Sequence, residues 1–421
     1  MQKAMEKKEL KEEIGNLSFV DLLKKITAYR AIPATTPTPL CEELLSRIDK
    51  SYKLLGLVGI GGEGIVLAAI DAMQTKIIVK VALATFTKDT RIVHNIFTFA
   101  KHEFVNKQNS FATRFIEGCR LQQDLYMLTL EKKPDFFQVP AIRKISQNPS
   151  LYVEMEYIEG IQIIRWLKEK NSIGYALKMF EKYLLAVQFF HDVGIIHRDL
   201  KTDNVLISKN DKIAIVDWTL SKIIGDRNLT LPGEQMGTIP FASPKLIEGA
   251  SKSACYPDDI FSLGFCLYEF FQQAALPKLI TAENFKEEQE LQEYIDYLGL
   301  RLPRPLRNVF INATAIREEA RYQIVEIFLE KFRAAIIELG IIDDHAKTMV
   351  EFPGANDKPE KCEDLETDWL YIEKSLDTLY PNDMISKAFI RAVWATEKLK
   401  NAIIQEKTAK EAQGTTIIDS K

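Results

Sequence analysis

Cysteine is scarce in this chain, and none of it is placed for a shared task. Five occur in 421 residues (Cys41, Cys119, Cys255, Cys266 and Cys362), far apart and without a CxxC pair. Scattered thiols of odd number exclude a disulfide framework or zinc site and point to a reducing, cytoplasmic setting. No apolar run is long enough to span a bilayer; the most apolar stretch, from Ile260 to Phe271, is short and interrupted by Glu269. The opening MQKAMEKKELKEE is charged throughout and lacks the apolar core of a signal peptide. Neither sign of charge dominates. Lys and Arg total 55 against 59 Asp and Glu, a net charge of −4, which supports neither a nucleic-acid partner nor a membrane surface. Internal repeats and low-complexity tracts are missing too. What remains is a composition 46% apolar and 27% charged, that of a soluble globular protein with length for two or three domains.

Residues 1 to about 50 read as helical. Ser18 and Asp21 form a capping pair, and Leu22, Leu23 and Ile26 make an apolar stripe that needs something to pack on. Pro33, Pro37 and Pro39, set among threonines, mark a linker. From about 51 to 83 the runs LLGLVGI, GIVLAAI and KIIVKVAL are separated by glycines or by DAMQT, as antiparallel strands joined by tight turns are. Residues 84–125 look helical and LYVEMEYI is a further strand. From about 160 to 340, amphipathic helices such as YALKMFEKYLLAVQFFHDVG and RYQIVEIFLEKFRAAIIELG dominate, each closing on Gly. The last eighty or so residues hold two more helical segments. In the second, Ile385, Ala388, Phe389, Ala392, Val393, Leu399 and Ile403 form a face that packs either on the rest of the chain or on a partner.

The run His197-Arg198-Asp199-Leu200-Lys201-Thr202-Asp203-Asn204, with Asp217 thirteen residues after Asn204, carries the chemistry. Asp199 is a proton acceptor, Lys201 a cation with phosphate reach, and Asn204 and Asp217 are hard oxygen ligands suited to Mg²⁺. Upstream, Gly59-Ile60-Gly61-Gly62-Glu63-Gly64-Ile65-Val66 fits G-x-G-x-x-G-x-V. Glycines there let the backbone approach a polyphosphate closely. A dinucleotide fold requires a helix after this turn and a Walker A loop requires Lys and Ser or Thr, and neither follows. A plain hairpin turn is the other reading. Lys80, on a short apolar strand sixteen residues after Gly64, aims an ammonium at the same phosphates.

HRDLKTDN resembles the catalytic loop of protein kinases. Roughly 51–340 is similar to a eukaryotic-type Ser/Thr protein kinase of the kind found as soluble enzymes in bacteria. The resemblance implies an α+β, bilobal fold with a β-rich N-lobe (51–157) and a helical C-lobe (158–340), flanked by helical extensions at 1–50 and 341–421. It implies an enzyme that uses ATP and Mg²⁺ on Ser or Thr hydroxyls of protein substrates. Gly59, Gly61, Gly64 and Val66 then cover the phosphates, and Lys80 holds them, oriented by Glu117 or, alternatively, Glu103. Met155 is the gatekeeper, while Glu156 and Ile158 offer backbone hydrogen bonds to adenine. Thr238 contacts Asp199 and Lys201, Asp259 bonds the catalytic-loop backbone, and Gly264 permits close packing. Lys201 two residues after Asp199 is the Ser/Thr-type pattern, and Arg198 implies control by a loop phosphate, with Thr230 the acceptor by position.

Departures from the family pattern set further expectations. Thr219 replaces the glycine of Asp-Phe-Gly; if that position needs positive φ, a β-branched residue costs about 1–3 kcal/mol. Ile78 narrows the adenine roof. Lys245 stands where a glutamate pairs with the arginine matching Arg321; two positive charges ~4 Å apart repel by about 4 kcal/mol at an effective dielectric near ~20. Lys245 is therefore expected to turn away and leave Glu248 as Arg321's partner. Thr219 and Ile78 also motivate the alternative of a weakly active, nucleotide-binding scaffold.

Overall fold

In the computed structural model of the protein, the described residues are 12–29, 38–61, 64–83, 108–148, 150–169, 172–224, 237–248, 255–278, 280 and 284–340. Pro33, Pro37, Gly62, Glu63, Glu103, Thr230 and the C-terminal segment 341–421 lie outside them. The described residues form two compact units. The first holds those up to 160 together with 208–210 and 214–219; the second holds the others.

The first unit is built on a five-stranded antiparallel sheet. Its strands are β1 (Lys53–Ile60), β2 (Gly64–Ile70), β3 (Lys76–Ala82), β4 (Ile142–Ser146) and β5 (Tyr152–Glu156), in the order β1-β2-β3-β5-β4. Asp71 closes the β2–β3 turn: its Oδ1 accepts the amides of Met73 at 2.9 Å and Thr75 at 2.8 Å, and Gln74 adopts φ +62°. This is an Asx-type turn of the kind DAMQT encodes.

Side chains alternate across a strand, and here the sheet buries both faces. One face carries Ile65, Leu67 and Ala69 of β2 with Ile77, Val79 and Val81 of β3. Against them pack Leu22, Leu23 and Ile26 of α1 (Phe19–Ala28) and Leu40, Cys41, Leu44 and Leu45 of α2 (Thr38–Ile48). The helical start of the chain thus covers the sheet, each buried aliphatic side chain contributing about 1.5–3 kcal/mol. Ser18 caps α1, its Oγ accepting the Asp21 amide at 3.1 Å. Arg47 of α2 donates to the carbonyl of Leu17 at 2.7 Å, tying α2 to the segment that leads into α1. The opposite face presents Val66, Ala68, Ile78 and Lys80, with Val66 opposite Lys80 and Ile78 opposite Met155. Ala82, Val153 and Met155 on this side cluster with Phe115 and Cys119 of α3 (Gln108–Lys132).

The second unit is mainly helical: α4 (Ile163–Leu167), α5 (Ile173–His191), α6 (Pro244–Ile247), α7 (Tyr256–Gln272), α8 (Glu288–Gly299), α9 (Arg304–Ala313) and α10 (Val325–Glu338). Between α5 and α6 runs β6 (Ile195–Ile196), paired antiparallel with a short strand at Lys222–Ile223. Ser172 Oγ caps α5 by accepting the Tyr175 amide at 3.2 Å. Nearly all of α7 is buried. A Cβ on its Gly264 would lie 2.5 Å from Thr314 Cγ2, so the close packing expected of that glycine is present. The helix expected from residue 321 starts later, at Val325. Arg321 is extended instead, because its guanidinium donates to the carbonyls of Ala315 at 2.6 Å and Ile316 at 2.8 Å.

Candidate active site

In the first unit the β3 strand places Lys80 beside the turn that follows Ile213–Ile215. Lys80 is 5% exposed, and its Nζ lies 2.5 Å from Asp217 Oδ1. Phe115 of α3 sets its ring 5.7 Å from the same nitrogen. A buried ammonium needs such a partner, since desolvating it unpaired costs several kcal/mol. Gly64 makes room for the lysine's stem: a Cβ there would sit 3.1 Å from Lys80 Cε and 2.9 Å from the Val81 carbonyl. Gly61 closes the loop, donating its amide to the Gly64 carbonyl at 2.8 Å, whereas a Cβ at Gly59 would meet nothing within 4 Å.

Asp217 takes the left-handed backbone region at φ +67°. Thr219 does not, so the strain expected at that residue is absent; the turn places the costly conformation on the aspartate. The Thr219 hydroxyl instead donates to Asp217 Oδ1 at 2.6 Å and accepts from Lys80 Nζ at 3.4 Å. Trp218 fills the core at 1% exposure and donates its indole N–H to the Ile215 carbonyl at 3.0 Å.

Glu117 lies on α3, between Phe115 and a glycine with a clear packing reason. A Cβ on Gly118 would lie 2.7 Å from Thr219 Cα and inside contact distance of the Trp218 carbonyl. That glycine was not among the sequence-derived candidates. Its signal was present, since a mid-helix Gly costs roughly 1 kcal/mol relative to Ala and needs a reason. Burial pushes the neighbouring Cys119 thiol up to about 12, although the Lys80 charge pulls the other way. At the far end of the sheet, Glu156 closes β5 and donates its amide to the Ala141 carbonyl at 2.9 Å. Ile158 follows outside any strand.

In the second unit the loop after β6 folds around Asp199. Lys201 Nζ reaches Asp199 Oδ2 at 2.7 Å, and the Thr238 hydroxyl donates to Oδ1 at 2.9 Å. Lys201 also donates to Thr238 Oγ1 at 2.6 Å. Asn204 spends its amide N–H groups on the Asp199 carbonyl and Oδ2, both at 2.9 Å. The loop backbone hangs from α7: buried Asp259 accepts the amides of His197 at 2.8 Å and Arg198 at 2.7 Å. Its Oδ2 also meets His191 Nε2 at 2.9 Å. Arg198 is buried and left-handed, φ +68°. The contacts expected of Thr238 and Asp259 are therefore both made.

The expected pairing of Arg321 with Glu248 is not. Arg321 lies 3.9 Å from buried Asp258, and its other donors go to carbonyls. Lys245 does turn away, to Glu318 Oε2 at 2.9 Å. Burial opposes its charge, but the Glu318 hydrogen bond together with the neighbouring Cys255, Asp258 and Glu318 outweighs it and holds Lys245 above the usual lysine value. Sequence alone could not show this, because Lys245 and Glu318 are joined only by the packing of separate segments.

Chemically, the second unit offers a carboxylate fixed by a lysine and a hydroxyl, and the first a buried lysine paired with a partly exposed aspartate, beside a glycine-closed turn. Residues 52–320 match the family model of the protein kinase domain, and the chain belongs to the protein kinase family. Its fold is the α+β, bilobal fold of that family. Among curated proteins the chain is similar to a probable serine/threonine-protein kinase, PknB, of Lactococcus lactis, 26% identical over 224 residues that cover 52% of this chain and 35% of PknB. It is also similar to the serine/threonine-protein kinases PknD of Chlamydia felis and of Protochlamydia amoebophila. These are 28% identical over 311 residues and 26% over 310; each alignment covers 65% of this chain, and 30% and 29% of the respective PknD. The chain spans about a third of the length of these relatives. Among the described residues no helix is long and apolar enough to cross a membrane.

Proposed function

We propose that the chain is a protein kinase that transfers the γ-phosphate of ATP to Ser or Thr hydroxyls of proteins, with Mg²⁺ as its metal, in the cytoplasm. The observation that carries this reading is the Asp199 carboxylate held by Lys201, Thr238 and Asn204. Asp199 orients the substrate hydroxyl and accepts its proton, while Lys201 stabilises charge on the transferred phosphate. Lys80 holds the α- and β-phosphates, and Glu117 orients Lys80. Gly59, Gly61, Gly64 and Val66 lie over the phosphates, with Glu156 and Ile158 binding adenine through their backbone. Asn204 and Asp217 are the metal ligands. Their chemistry fits Mg²⁺: both are hard oxygen donors, and because the Asn204 amide nitrogen is turned to Asp199, its carbonyl oxygen is the end left to ligate. When bound, the metal supplies neutralisation of polyphosphate charge.

Phosphoryl transfer depends on positioning and charge neutralisation more than on covalent help from the protein. Asp199→Asn keeps the shape and removes the base. The expected outcome is loss of phosphate incorporation into protein with an unchanged melting temperature. Retained transfer in that variant would refute the assigned base.

A further inference from the structure

We infer that Thr219 is a positioning residue that fixes the Asp217 carboxylate for a divalent cation. The inference rests on the reading of Asp217 as a metal ligand, and adds a residue that replaces the family's glycine. Thr219 is 7% exposed, and both capacities of its hydroxyl are engaged. The proton goes to Asp217 Oδ1 at 2.6 Å, and a lone pair faces Lys80 Nζ at 3.4 Å. Asp217 Oδ1 therefore receives two donors, Thr219 Oγ1 and Lys80 Nζ, the latter at 2.5 Å.

Two donors on one oxygen remove the carboxylate's freedom to rotate. A cation then meets it in one orientation. A glycine removes the hydroxyl from this pair of donors, and a carboxylate oxygen held by fewer donors is less firmly oriented. Threonine suits the task because two heavy atoms on Cβ restrict χ1, so the hydroxyl is aimed before any ligand arrives. The turn itself is held by other groups: Trp218 fills the core, and α3 closes onto the turn at Gly118. Removing the hydroxyl thus affects Asp217 more than the fold. Groups that orient metal ligands typically account for about 10–100-fold in metal affinity.

The test is calorimetric ADP binding to the full chain with and without Mg²⁺, where the ratio of the two affinities isolates the metal. Thr219→Val and Thr219→Gly are expected to lower that ratio by about tenfold and leave metal-free ADP binding as in the unsubstituted chain. Thr219→Ser keeps the ratio. Should Thr219→Val fail to fold, Thr219→Gly, which is the family's own residue, and Thr219→Ser decide. A ratio unchanged or raised in Val and Gly, while Asp217→Asn abolishes it, overturns the inference alone. A ratio preserved in Asp217→Asn overturns the metal-ligand reading and the inference with it.

Discussion

Asp217 and Arg198 both hold the left-handed backbone region, at φ +67° and +68°. For a non-glycine residue this costs on the order of 1–3 kcal/mol, and it persists only where surrounding contacts over-determine it. The packed Trp218 and the close approach of α3 at Gly118 do this for the turn bearing Asp217, and Asp259 does it for the loop bearing Arg198. A second buried carboxylate, Glu269 of α7, braces the same loop by accepting the Thr202 hydroxyl at 2.6 Å and the Leu276 amide at 2.8 Å. Burial pushes its carboxyl from 4.5 up to about 7. The folded chain therefore binds a proton that the unfolded chain has released, so this group's contribution to stability is full below pH 4.5 and falls as pH rises towards 7. The whole effect is about 3 kcal/mol. Glu269→Gln is expected to flatten the decline in melting temperature across this window; parallel curves for the two proteins would show that Glu269 does not titrate there. Asp199, Lys201 and Asn204 were legible in the sequence because they fall within six residues whose spacing is itself the chemistry. Glu269 was not, since its Thr202 partner lies far along the chain, and the Thr219 hydroxyl was not, since residue spacing does not show a side chain turning back onto Asp217 while it accepts from distant Lys80.

At the scale of elements, β1, β2 and β3 were readable from β-branched runs bounded by turn residues. GIVLAAI is a continuous apolar run, and the apolar stretch of KIIVKVA is interrupted only by Lys80; neither alternates with polar residues, the pattern of strands covered on both faces. Their covering partner, the pair α1 and α2, was readable as helical but not as part of this core, because amphipathic stripes do not name what they pack on. The stripe Leu22, Leu23 and Ile26 shares its cluster with Leu44 and Leu45 and the β2–β3 side chains. Leu44→Ala, at a fully buried position, is therefore expected to destabilise the protein by about 2–5 kcal/mol in urea unfolding and to weaken nucleotide binding through β3. A surface-like change below about 0.5 kcal/mol would mean that the helices are an appendage. The family model begins at residue 52, just after α2, so the pair lies outside the matched domain.

For the whole molecule, membership of the protein kinase family follows from a match across 52–320, while the proposed activity rests on two groups assigned one to each unit: Lys80 with Asp217, and Asp199 with Lys201, Thr238 and Asn204. The unusual residues at 219 and 245 are built into local networks of their own, and neither removes a group assigned to phosphate or metal. Phosphoamino acid analysis of a generic protein substrate, after incubation with the purified chain, γ-labelled ATP and Mg²⁺, tests the reading most directly. The account predicts label on phosphoserine or phosphothreonine, dependent on Mg²⁺. No label with any divalent cation, or label confined to phosphotyrosine, would contradict it.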